Sequence, residues 1–321
     1  MRITALVAAA FALWALCPER AAAFASSSDK GTSGAQFLKI APSARPAGMG
    51  EAFAGVADDV DAVYYNPAGL ADLKKVEVTG SHTSLFQDLN YEYAAVSVPL
   101  LSWVKTQDAK NKYGVLGVSI YNLSVSNLER RGLTETDTPT DTFGSSDLAY
   151  ALSYGYTLAD TGLSLGATAK FIDQQLDTAK ASAFALDAGS LYKTGRTSLA
   201  FGLRNAGTKT QFASQADPLP LLIYGGAAYR FSDNFLGSLE LDAPRDNRIT
   251  VGLGAEYRHD FGDRLTGSVR GGYNSRNTDA GGLSGASMGL GLGYGNFSFD
   301  FALQPFGDLG NAYKYSLLVR F

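Results

Sequence analysis

The chain has 321 residues, of which 18% are charged and 36 are glycine, and it contains 17 tyrosines and 18 phenylalanines. Because soluble domains usually carry about 25% charged residues, this composition leaves few charges to cover a surface in water. Mean hydropathy is −0.04, and no stretch beyond the N-terminus reaches about 18 consecutive apolar residues, which excludes a helical membrane protein. The formal net charge of −4 argues against nucleic acid as a partner.

Residues 1–25 have the composition of a secretory signal peptide, with a basic residue, an apolar run and a set of small residues in that order. Cleavage is expected after Ala25 or, alternatively, after Ala23. Cys17 is a candidate lipoprotein anchor, but Leu16 before it is too bulky for the usual recognition sequence, so Cys17 is expected to leave with the signal peptide. An exported chain without a helical span is either a periplasmic protein or an outer-membrane barrel.

Alternation of apolar and polar residues with a period of two begins near Lys74 and continues to the end of the chain. In residues 296–304, for example, Phe297, Phe299 and Phe301 alternate with small or polar residues. Segments of about ten such residues, separated by turn residues, are typical of the strands of a transmembrane β-barrel. The pattern predicts fourteen strands, at residues 75–85, 91–101, 112–128, 145–158, 162–175, 181–193, 197–206, 219–231, 235–243, 248–259, 264–275, 286–295, 296–305 and 312–321.

The connections between these strands alternate between short and long, as expected when both ends of an even-stranded barrel lie on the same side of the membrane. The short turns are predicted at residues 159–161, 194–196, 232–234 and 259–263. The long connections are predicted at residues 129–144, 206–218 and 276–285. The connection at 101–111 is an exception, because it is too long for a tight turn. A soluble β-sandwich has no reason to sort its loops in this way, so we predict an all-β fold, an antiparallel transmembrane β-barrel of about 14 strands over residues 74–321.

The last strand carries a pattern of its own. Tyr313, Tyr315, Leu317, Val319 and Phe321 occupy every second position up to a C-terminal aromatic residue. This pattern resembles the terminal signature that the bacterial barrel-assembly machinery recognises during biogenesis. An ordinary edge strand that ends in phenylalanine by chance is the alternative.

The last strand is also expected to close the barrel by pairing with residues 76–85. In that register Lys314 and Arg320 would point into the lumen, while the aromatic residues between them would face lipid.

Residues 26–73 lack the alternation and are predicted to form two short helical pieces near their C-terminal end. Asp58 or Asp59 is expected to cap the first helix, since a carboxylate accepts hydrogen bonds from free N–H groups. Asn66 is expected to cap the second, with Pro67 at the first helical position. A helical piece that precedes a barrel either plugs the lumen or hangs in the periplasm.

Two motifs in this segment carry a family resemblance. Residues 36–50, QFLKIAPSARPAGMG, and residues 57–71, ADDVDAVYYNPAGLA, resemble the start of PorV/PorQ-type outer-membrane proteins. Those belong with the FadL-like channels, which share the Asn-Pro-Ala element of a luminal hatch. The resemblance implies a fourteen-stranded barrel with residues 26–73 as an N-terminal luminal plug, whose motif residues here are Asp58, Asp59, Asn66, Pro67, Gly69 and Leu70.

Charged residues in the strands have phases that direct them into the lumen, because a charge facing lipid near the midplane would cost a few kcal/mol. Both signs are present, so these residues are expected to brace the wall and plug by ion pairing, and a minority to touch a passing solute. They are Lys170, Asp187, Lys193, Arg204, Arg230, Glu240, Asp242, Glu256, Arg258, Arg270, Asp300 and Arg320.

The third predicted strand is irregular. Its apolar phase slips by one residue between Ile120 and Leu123, which predicts a β-bulge near Tyr121 and Asn122. FadL-like channels have a kinked third strand that opens the wall sideways toward lipid. The resemblance therefore suggests a lateral opening at this bulge, with a plain bulge as the alternative.

Catalysis and metal binding receive little support from the sequence. The two histidines, His82 and His259, are far apart, and no nucleophile–base pattern accompanies them. Asp58, Asp59 and Asp61 are explained better by helix capping than by calcium, which needs six or more oxygen ligands. We therefore predict no enzyme activity, no cofactor and no metal.

The glycines at positions 252, 254, 289, 291 and 293 all recur with a period of two, so they fall on one face of a strand rather than in a phosphate-binding loop. They are expected either to allow barrel curvature or to give the plug a smooth wall.

Two functions remain open at this point. The first is the binding or anchoring of exported proteins in a type IX-like secretion system, as the PorV/PorQ resemblance implies. The alternative is a FadL-like channel for hydrophobic solutes such as long-chain fatty acids, which requires an apolar cleft, whereas the predicted lumen is polar. The expected partners are outer-membrane lipid, the barrel-assembly machinery, and either secretion-system proteins or hydrophobic small molecules, at the outer membrane of a Gram-negative-type cell.

Overall fold

The structure is a computed structural model that describes residues 26–86, 89–100, 113–134, 136–159 and 161–321. The predicted signal peptide with Cys17, and the predicted connection at 101–111, lie outside the described residues.

Fourteen strands form a closed antiparallel barrel, and two further strands form a separate hairpin. The barrel confirms the predicted fold class, and each of the fourteen predicted strands corresponds to one in the wall. In chain order the strands are β1 (Glu77–Ser84), β2 (Asn90–Pro99), β3 (Val115–Arg130), β4 (Asp141–Thr157), β5 (Leu163–Leu176), β6 (Ala179–Thr194), β7 (Thr197–Gly207), β8 (Lys209–Phe212), β9 (Gln215–Pro218), β10 (Leu222–Arg230), β11 (Phe235–Pro244), β12 (Thr250–Gly262), β13 (Leu265–Asn274), β14 (Ala286–Tyr294), β15 (Phe297–Pro305) and β16 (Asn311–Arg320).

The barrel closes between its first and last strands, as the sequence predicted. Glu77 of β1 lies opposite Arg320 of β16, and Ser84 lies opposite Tyr313. The amide of Phe321 extends this pairing by donating to the carbonyl of Val76 at 2.9 Å. We call the end of the barrel where Glu77 and Arg320 meet the terminal end, and the opposite end the loop end.

The two faces of the wall differ as a membrane barrel requires. Along β15, Phe297 and Phe299 point outward and are about half exposed, whereas Asp300 and Ala302 point inward and are buried. Apolar outward faces are stable against lipid, and charged groups are stable only where the interior supplies partners. The outer face of the other strands follows the same alternation.

The helices of the described residues are short. The α-helices are α1 (Ala44–Gly48) and α2 (Ala62–Tyr65), and the 3-10 helices are Ser27–Asp29, Gln36–Lys39, Pro67–Asp72, Ser275–Ala280 and Gly307–Leu309. Within the described ranges, no helix is both long and apolar enough to cross a membrane.

Three predicted connections differ in detail from the observed ones. The predicted turn at 259–263 narrows to Asp263 and Arg264, which both have positive φ angles, because β12 continues to Gly262. The predicted loop at 129–144 shortens, since β3 and β4 extend beyond the expected ends. The hairpin of β8 and β9 lies in the connection predicted at 206–218.

The bulge predicted at Tyr121 and Asn122 is wrong. Pairing with both neighbouring strands runs unbroken through Asn122, and the register of β3 shifts only between Val125 and Leu128. The apolar phase slips for another reason: Tyr121 and Leu123 point inward and pack in an apolar part of the interior. The hypothesis of a lateral opening at Tyr121 and Asn122 loses its structural basis with the bulge.

The register also shifts in β7, at a bulge that shapes the interior. Its register with β6 shifts between Leu186 and Ala188, and Asn205 has a φ of 61°. A bulge places two consecutive residues opposite one on the neighbouring strand. As a result, the side chains of both Arg204 and Asn205 are buried.

Inward-facing glycines lie directly against the N-terminal segment. A Cβ added to Gly252 would lie 3.0 Å from the carbonyl oxygen of Gly50, and one added to Gly254 would lie 2.5 Å from that of Met49. Gly289 approaches Gly48 in the same way. These contacts favour the smooth-wall interpretation of these three glycines over simple barrel curvature. By contrast, the glycines at 291 and 293 face wall side chains.

Neighbouring glycines on β13 give a matched test of this contact. Gly272 faces inward, where an added methyl group would overlap Gly50, whereas Gly271 faces outward into open space. Gly272→Ala is expected to cost about 1–3 kcal/mol of stability through overpacking, and Gly271→Ala to cost little. Heat-dependent gel migration of the folded barrel measures both. Equal unfolding temperatures for the two variants would contradict the contact.

Candidate functional site

The candidate site is the interior of the barrel, where residues 35–73 lie against the inward faces of the strands. Almost all side chains in this stretch are buried, and α1 contacts β13 to β16, while the 3-10 helix Pro67–Asp72 contacts β3 to β6. We call residues 35–73 the inner segment. Its backbone is largely irregular, so its polar groups need partners from the wall.

Asn66 ties the inner segment to itself and to the wall. Its side-chain oxygen accepts from the amide of Ala68 at 3.2 Å, with Pro67 at the first helical position, which confirms the predicted cap. Its side-chain nitrogen donates to the carbonyls of Ala54 and Ser190, both at 3.1 Å. All three bonds need an amide side chain, because no other side chain of this size both accepts and donates twice.

The other predicted motif residues serve close packing. Pro67 lies against the inward face of Gly166, and Leu70 is fully buried against the wall near Gly117. Gly69 approaches Ala57 so closely that a side chain at position 69 would overlap the carbonyl of Ala57.

Asp58 does not cap α2, whereas Asp59 accepts one backbone hydrogen bond just before the helix, from the amide of Asp61 at 3.1 Å. One guanidinium nitrogen of Arg45 lies 2.6 Å from a carboxylate oxygen of Asp58 and of Asp59. The residue at the start of α2 is Asp61, and its side chain makes no capping bond. The reason is that leaving a buried arginine without carboxylate partners costs more free energy than leaving a single helical turn without a cap.

Arg45 is the centre of a larger ionic cluster. It forms a two-bond pair with Glu256 of β12, at 2.9 and 3.0 Å, and Glu256 also accepts from Arg270 at 2.7 Å. Arg270 in turn pairs with Asp300 at 2.6 Å. We call this the Arg45 cluster, and it comprises Arg45, Asp58, Asp59, Glu256, Arg270 and Asp300.

Two arginines at the terminal end complete the charge balance of the cluster. Arg230 lies 3.1 Å from Asp58, and Arg258 lies 3.9 Å from Glu256. Their side chains are about half exposed, unlike the buried arginines of the cluster. With them, four arginines face the four carboxyl groups of the cluster.

The carboxyls of the inner segment differ in their pKa values. Burial raises the pKa of Asp61 well above its usual range, and the neighbouring Asp59 carboxylate raises it further. Burial also raises the pKa of Asp59. At Asp58 burial acts in the same direction, but the attraction of Arg45 outweighs it and lowers the pKa. Arg45 therefore favours the ionised form chiefly at Asp58.

A second group of ionic contacts lies toward the loop end. Arg204 pairs with Glu240 at 3.0 Å and donates to the carbonyl of Tyr65. The other oxygen of Glu240 accepts from the amides of Phe53 at 2.9 Å and Ala54 at 2.7 Å. Wall side chains thus satisfy backbone groups of the inner segment that would otherwise be unpaired.

Loop residues also hold the inner segment. Asp246, after β11, pairs with Lys39 at 2.6 Å, and Arg276, after β13, bridges Glu51 at 2.9 Å and Asp242 at 3.1 Å. A small cavity of about 30 Å³ lies beside these pairs, which is room for about one water molecule.

The seam between β1 and β16 holds the inner segment too. Ser81 of β1 donates to the carbonyl of Pro42 at 2.5 Å. Lys314 of β16 donates to the carbonyl of Ala41 at 2.7 Å. Ser316 accepts from the backbone amide of Ala44 at 2.7 Å.

The opposite side of the interior is aromatic. The rings of Tyr93 and Tyr121 are stacked with centroids 5.3 Å apart, and Tyr64 of the inner segment lies 5.9 Å from Tyr121. Tyr65 lies 4.8 Å from Tyr64. We call this side, between the inner segment and β2 to β6, the aromatic side; its other buried wall residues include Tyr91, Ala149, Ala151, Ile172, Ala183 and Ala185.

The lumen is therefore not polar throughout, contrary to the prediction from the sequence, because the side of β2 to β6 is largely apolar. One buried ion pair borders the aromatic side: Lys170 lies 2.7 Å from Asp187 and donates to Asn205 at 2.9 Å. The two remaining predicted inward charges are paired near the terminal end. Lys193 pairs with Asp72, and Arg320 pairs with Glu77.

The outward-facing candidates lie where the sequence placed them. Tyr315 and Leu317 project from the outer wall, and Phe321 is exposed at the terminal end. Val319 is partly exposed. Recognition of these residues by an assembly machinery remains a prediction.

The histidines lie apart from the interior. The imidazole of His82 on the outer wall pairs with Glu92 at 2.6 Å, and the ring of His259 lies between outward aromatic rings. Among the residues that the structure describes, no group of three histidine, cysteine or acidic side chains is placed to hold a metal.

Several residues of the interior escaped the sequence analysis. Arg45 and Glu51 lie in a segment without periodicity, so no phase marked them as inward. Tyr91 and Tyr93 were missed because apolar residues were assigned to lipid. A usable signal was present in β2, where Tyr91, Tyr93 and Ala95 share one face while the other contains Glu92.

The closed fourteen-stranded wall and its filled interior define an outer-membrane type of barrel. The toluene transporter TbuX of Ralstonia pickettii is similar in structure, with a TM-score of 0.57 and 14% identity, over 88% of this chain and 100% of that one. The toluene transporter TodX of Pseudomonas putida aligns with a TM-score of 0.53 and 10% identity, over 81% and 92%. A Pseudomonas aeruginosa FadL homologue gives 0.51 and 12%, over 87% and 98%.

At these identities the likeness concerns the fold, which is that of the FadL-like barrels. None of the curated proteins is significantly similar to the chain. Residues 16–215 match the profile of the uncharacterised protein family UPF0164. The chain belongs to this family.

The Arg45 cluster predicts a strong dependence on one wall carboxylate. Glu256→Gln would leave Arg45 and Arg270 buried without full compensation, and is expected to cost about 3–5 kcal/mol of stability. Glu92→Gln is the control, because its pair with His82 is exposed and worth about 0–1 kcal/mol. Thermal unfolding in detergent compares them, and an equal loss in both variants would contradict the assignment.

Opposite pKa shifts predict opposite effects of two similar substitutions. The pKa of Asp61 is higher in the folded state than in the unfolded state, where it is about 3.9. The protonated carboxyl therefore stabilises the fold fully below the unfolded pKa, and this contribution is lost as pH rises through the folded pKa. Asp61→Asn is expected to keep or raise stability at pH 7, and Asp58→Asn to lower it. Unfolding temperatures from pH 4 to pH 8 test this, and equal losses at pH 7 would contradict it.

Proposed function

We propose that this protein lets small hydrophobic molecules cross the outer membrane, and that the inner segment is a plug that moves before they pass. In this proposal the terminal end faces the periplasm, the loop end faces outward, and the chain is exported with a cleaved signal peptide. A hydrophobic solute needs an apolar surface inside the barrel, and the aromatic side supplies one.

The observation that carries the proposal is the unequal attachment of the inner segment. On the side of β11 to β16 it is held by buried ion pairs such as Arg45 with Glu256. On the side of β2 to β6, no buried ion pair among the described residues joins it to the wall. It is joined there by ring contacts such as Tyr64 with Tyr121 and by the hydrogen bond from Asn66 to the carbonyl of Ser190. Breaking a buried ion pair is strongly unfavourable, whereas apolar surfaces can part when a hydrophobic solute takes the place of one of them. The plug is therefore expected to separate from the aromatic side.

Similar structures support the choice of solute. Two of the structurally similar barrels are described as toluene transporters. Small aromatic hydrocarbons match the rings that line the aromatic side, because aromatic pairs gain from offset stacking as well as from burial.

Two engineered disulfides test the motion. Val63→Cys with Gly117→Cys joins the plug to β3, where a Cβ at position 117 would lie 2.6 Å from the Val63 side chain. Ala44→Cys with Ala302→Cys joins it to β15 within one buried contact cluster. The first link is expected to block uptake of labelled toluene by intact cells of a Gram-negative host, reversibly on reduction. The second is expected to leave uptake largely intact.

Three results separate the possible outcomes of this experiment. Uptake no greater than in cells with an unrelated barrel would contradict transport. Uptake that neither link changes would contradict movement of the plug. A block by the second link alone would place the opening on the ionic side.

A second candidate function is PorV/PorQ-type binding of exported proteins. The observation that favours it is the exposure of Leu133, Leu283 and Leu309 in loops at the loop end. Apolar side chains exposed at one end of a protein can contribute to a binding surface. Replacing these leucines with serine would reduce co-purification of exported proteins and leave toluene uptake unchanged if this function is correct.

A further inference from the structure

We propose that the solutes of the aromatic side are neutral aromatic molecules with a hydrogen-bonding group on the ring, as in phenols, rather than plain hydrocarbons. This inference rests on the proposed transport function and specifies its substrate class. It starts from the hydroxyl groups of tyrosines that point into the barrel.

Four buried tyrosine hydroxyls have no hydrogen-bond partner among the described residues. They belong to Tyr65, Tyr91, Tyr93 and Tyr224. Neighbouring tyrosines show that partners can be supplied here: the hydroxyl of Tyr64 donates to the carbonyl of Leu38 at 2.9 Å. A buried hydroxyl without a partner destabilises the structure, because it loses its bonds to water and gains none.

Phenylalanine would avoid this cost at the same positions. The chain uses phenylalanine freely on its outer wall, for example at Phe297 and Phe299. Yet among the described strand residues, the fully buried aromatic side chains are Tyr91, Tyr93, Tyr121 and Tyr224. A channel for plain hydrocarbons gains nothing from these hydroxyls, whereas a channel for phenols gains a hydrogen bond from each one that a solute can reach.

The positions of Tyr91 and Tyr93 suit a ring that enters between plug and wall. Both lie on β2 and point inward, and the ring of Tyr93 is stacked on Tyr121 with an interplanar angle of 28°. If Tyr64 of the plug moves away from Tyr121, an aromatic solute can take its place against that ring. The hydroxyls of Tyr91 and Tyr93 then have access to the polar group of the solute.

The charge of the site favours a neutral polar group over a carboxylate. The cations that border the aromatic side already have partners: Lys170 pairs with Asp187 at 2.7 Å, Arg204 pairs with Glu240 at 3.0 Å, and Lys314 donates to the carbonyl of Ala41 at 2.7 Å. An anion would therefore have to displace one of these partners to gain a compensating charge, which is unfavourable in an apolar surrounding. A phenol presents a hydroxyl that both donates and accepts, and this matches the tyrosine hydroxyls.

The test compares p-cresol with toluene, which differ only in the hydroxyl group. Initial uptake of each compound is measured in intact cells of a Gram-negative host, with p-toluate as the anionic probe. The protein is expected to increase uptake of p-cresol about three- to tenfold more than uptake of toluene, the range that one or two hydrogen bonds supply. Uptake of p-toluate is expected to stay at the level of cells without the protein.

Variants that remove only the hydroxyls give the decisive comparison. Tyr91→Phe with Tyr93→Phe keeps both rings, so the barrel is expected to fold, while the ratio of p-cresol uptake to toluene uptake falls to about one. Tyr229→Phe on the outer wall is the matched control and is expected to retain the preference. Heat-dependent gel migration confirms that each variant is folded.

Each other outcome overturns either this inference, its restriction to neutral solutes, or the proposed transport function. Toluene uptake without a preference for p-cresol, or a preference that survives in the double variant, overturns this inference and leaves the transport function standing. Strong p-toluate uptake overturns the restriction to neutral solutes. Failure of all three compounds to enter overturns the proposed function and the inference with it.

Discussion

The structure depends on the buried positive charge of Arg45, which must find carboxylate partners inside a closed barrel. Arg45 belongs to the inner segment, yet its partners come from that segment and from β12 alike. A guanidinium cannot be neutralised by losing its proton, so it is stable in the interior only beside carboxylates in fixed positions. The wall supplies Glu256, and glycines on the neighbouring strands let the segment come close enough to reach it. Ion pairing and glycine placement are thus two parts of one arrangement.

This arrangement divides the interior. Charged side chains gather on β11 to β16, where α1 lies, and apolar side chains gather on β2 to β6, with the tyrosine rings on β2 and β3 opposite Tyr64. The two sides resist separation in different ways, because ion pairs are directional and costly to break while apolar contacts can be replaced by another apolar surface. In such a barrel the inner segment is fixed to the wall on one side, and on the other side its contacts can be replaced by those of a solute. The bulge at Arg204 and Asn205 lies where the two sides meet.

Period-two alternation predicted the wall well, because lipid imposes the same demand on every outward position. It gave fourteen strands, their closure and the inward direction of charges such as Arg270 and Asp300. It failed where the inner face is also apolar: Tyr121 and Leu123 were interpreted as a bulge when they pack inside the barrel. The inner segment was recognised from its motif, but its ion pairs were not, since irregular backbone has no phase. For that reason Asp58 was predicted as a cap and is a partner of Arg45.

The seam between β1 and β16 has a consequence for the closure of the barrel. Ser81 and Lys314, on the two sides of the seam, both bind carbonyls of residues 41–42. The inner segment therefore joins the two edges of the wall from within, in addition to the backbone hydrogen bonds between the strands. Closure of the wall and filling of its interior thus stabilise each other, because the same short stretch of chain takes part in both.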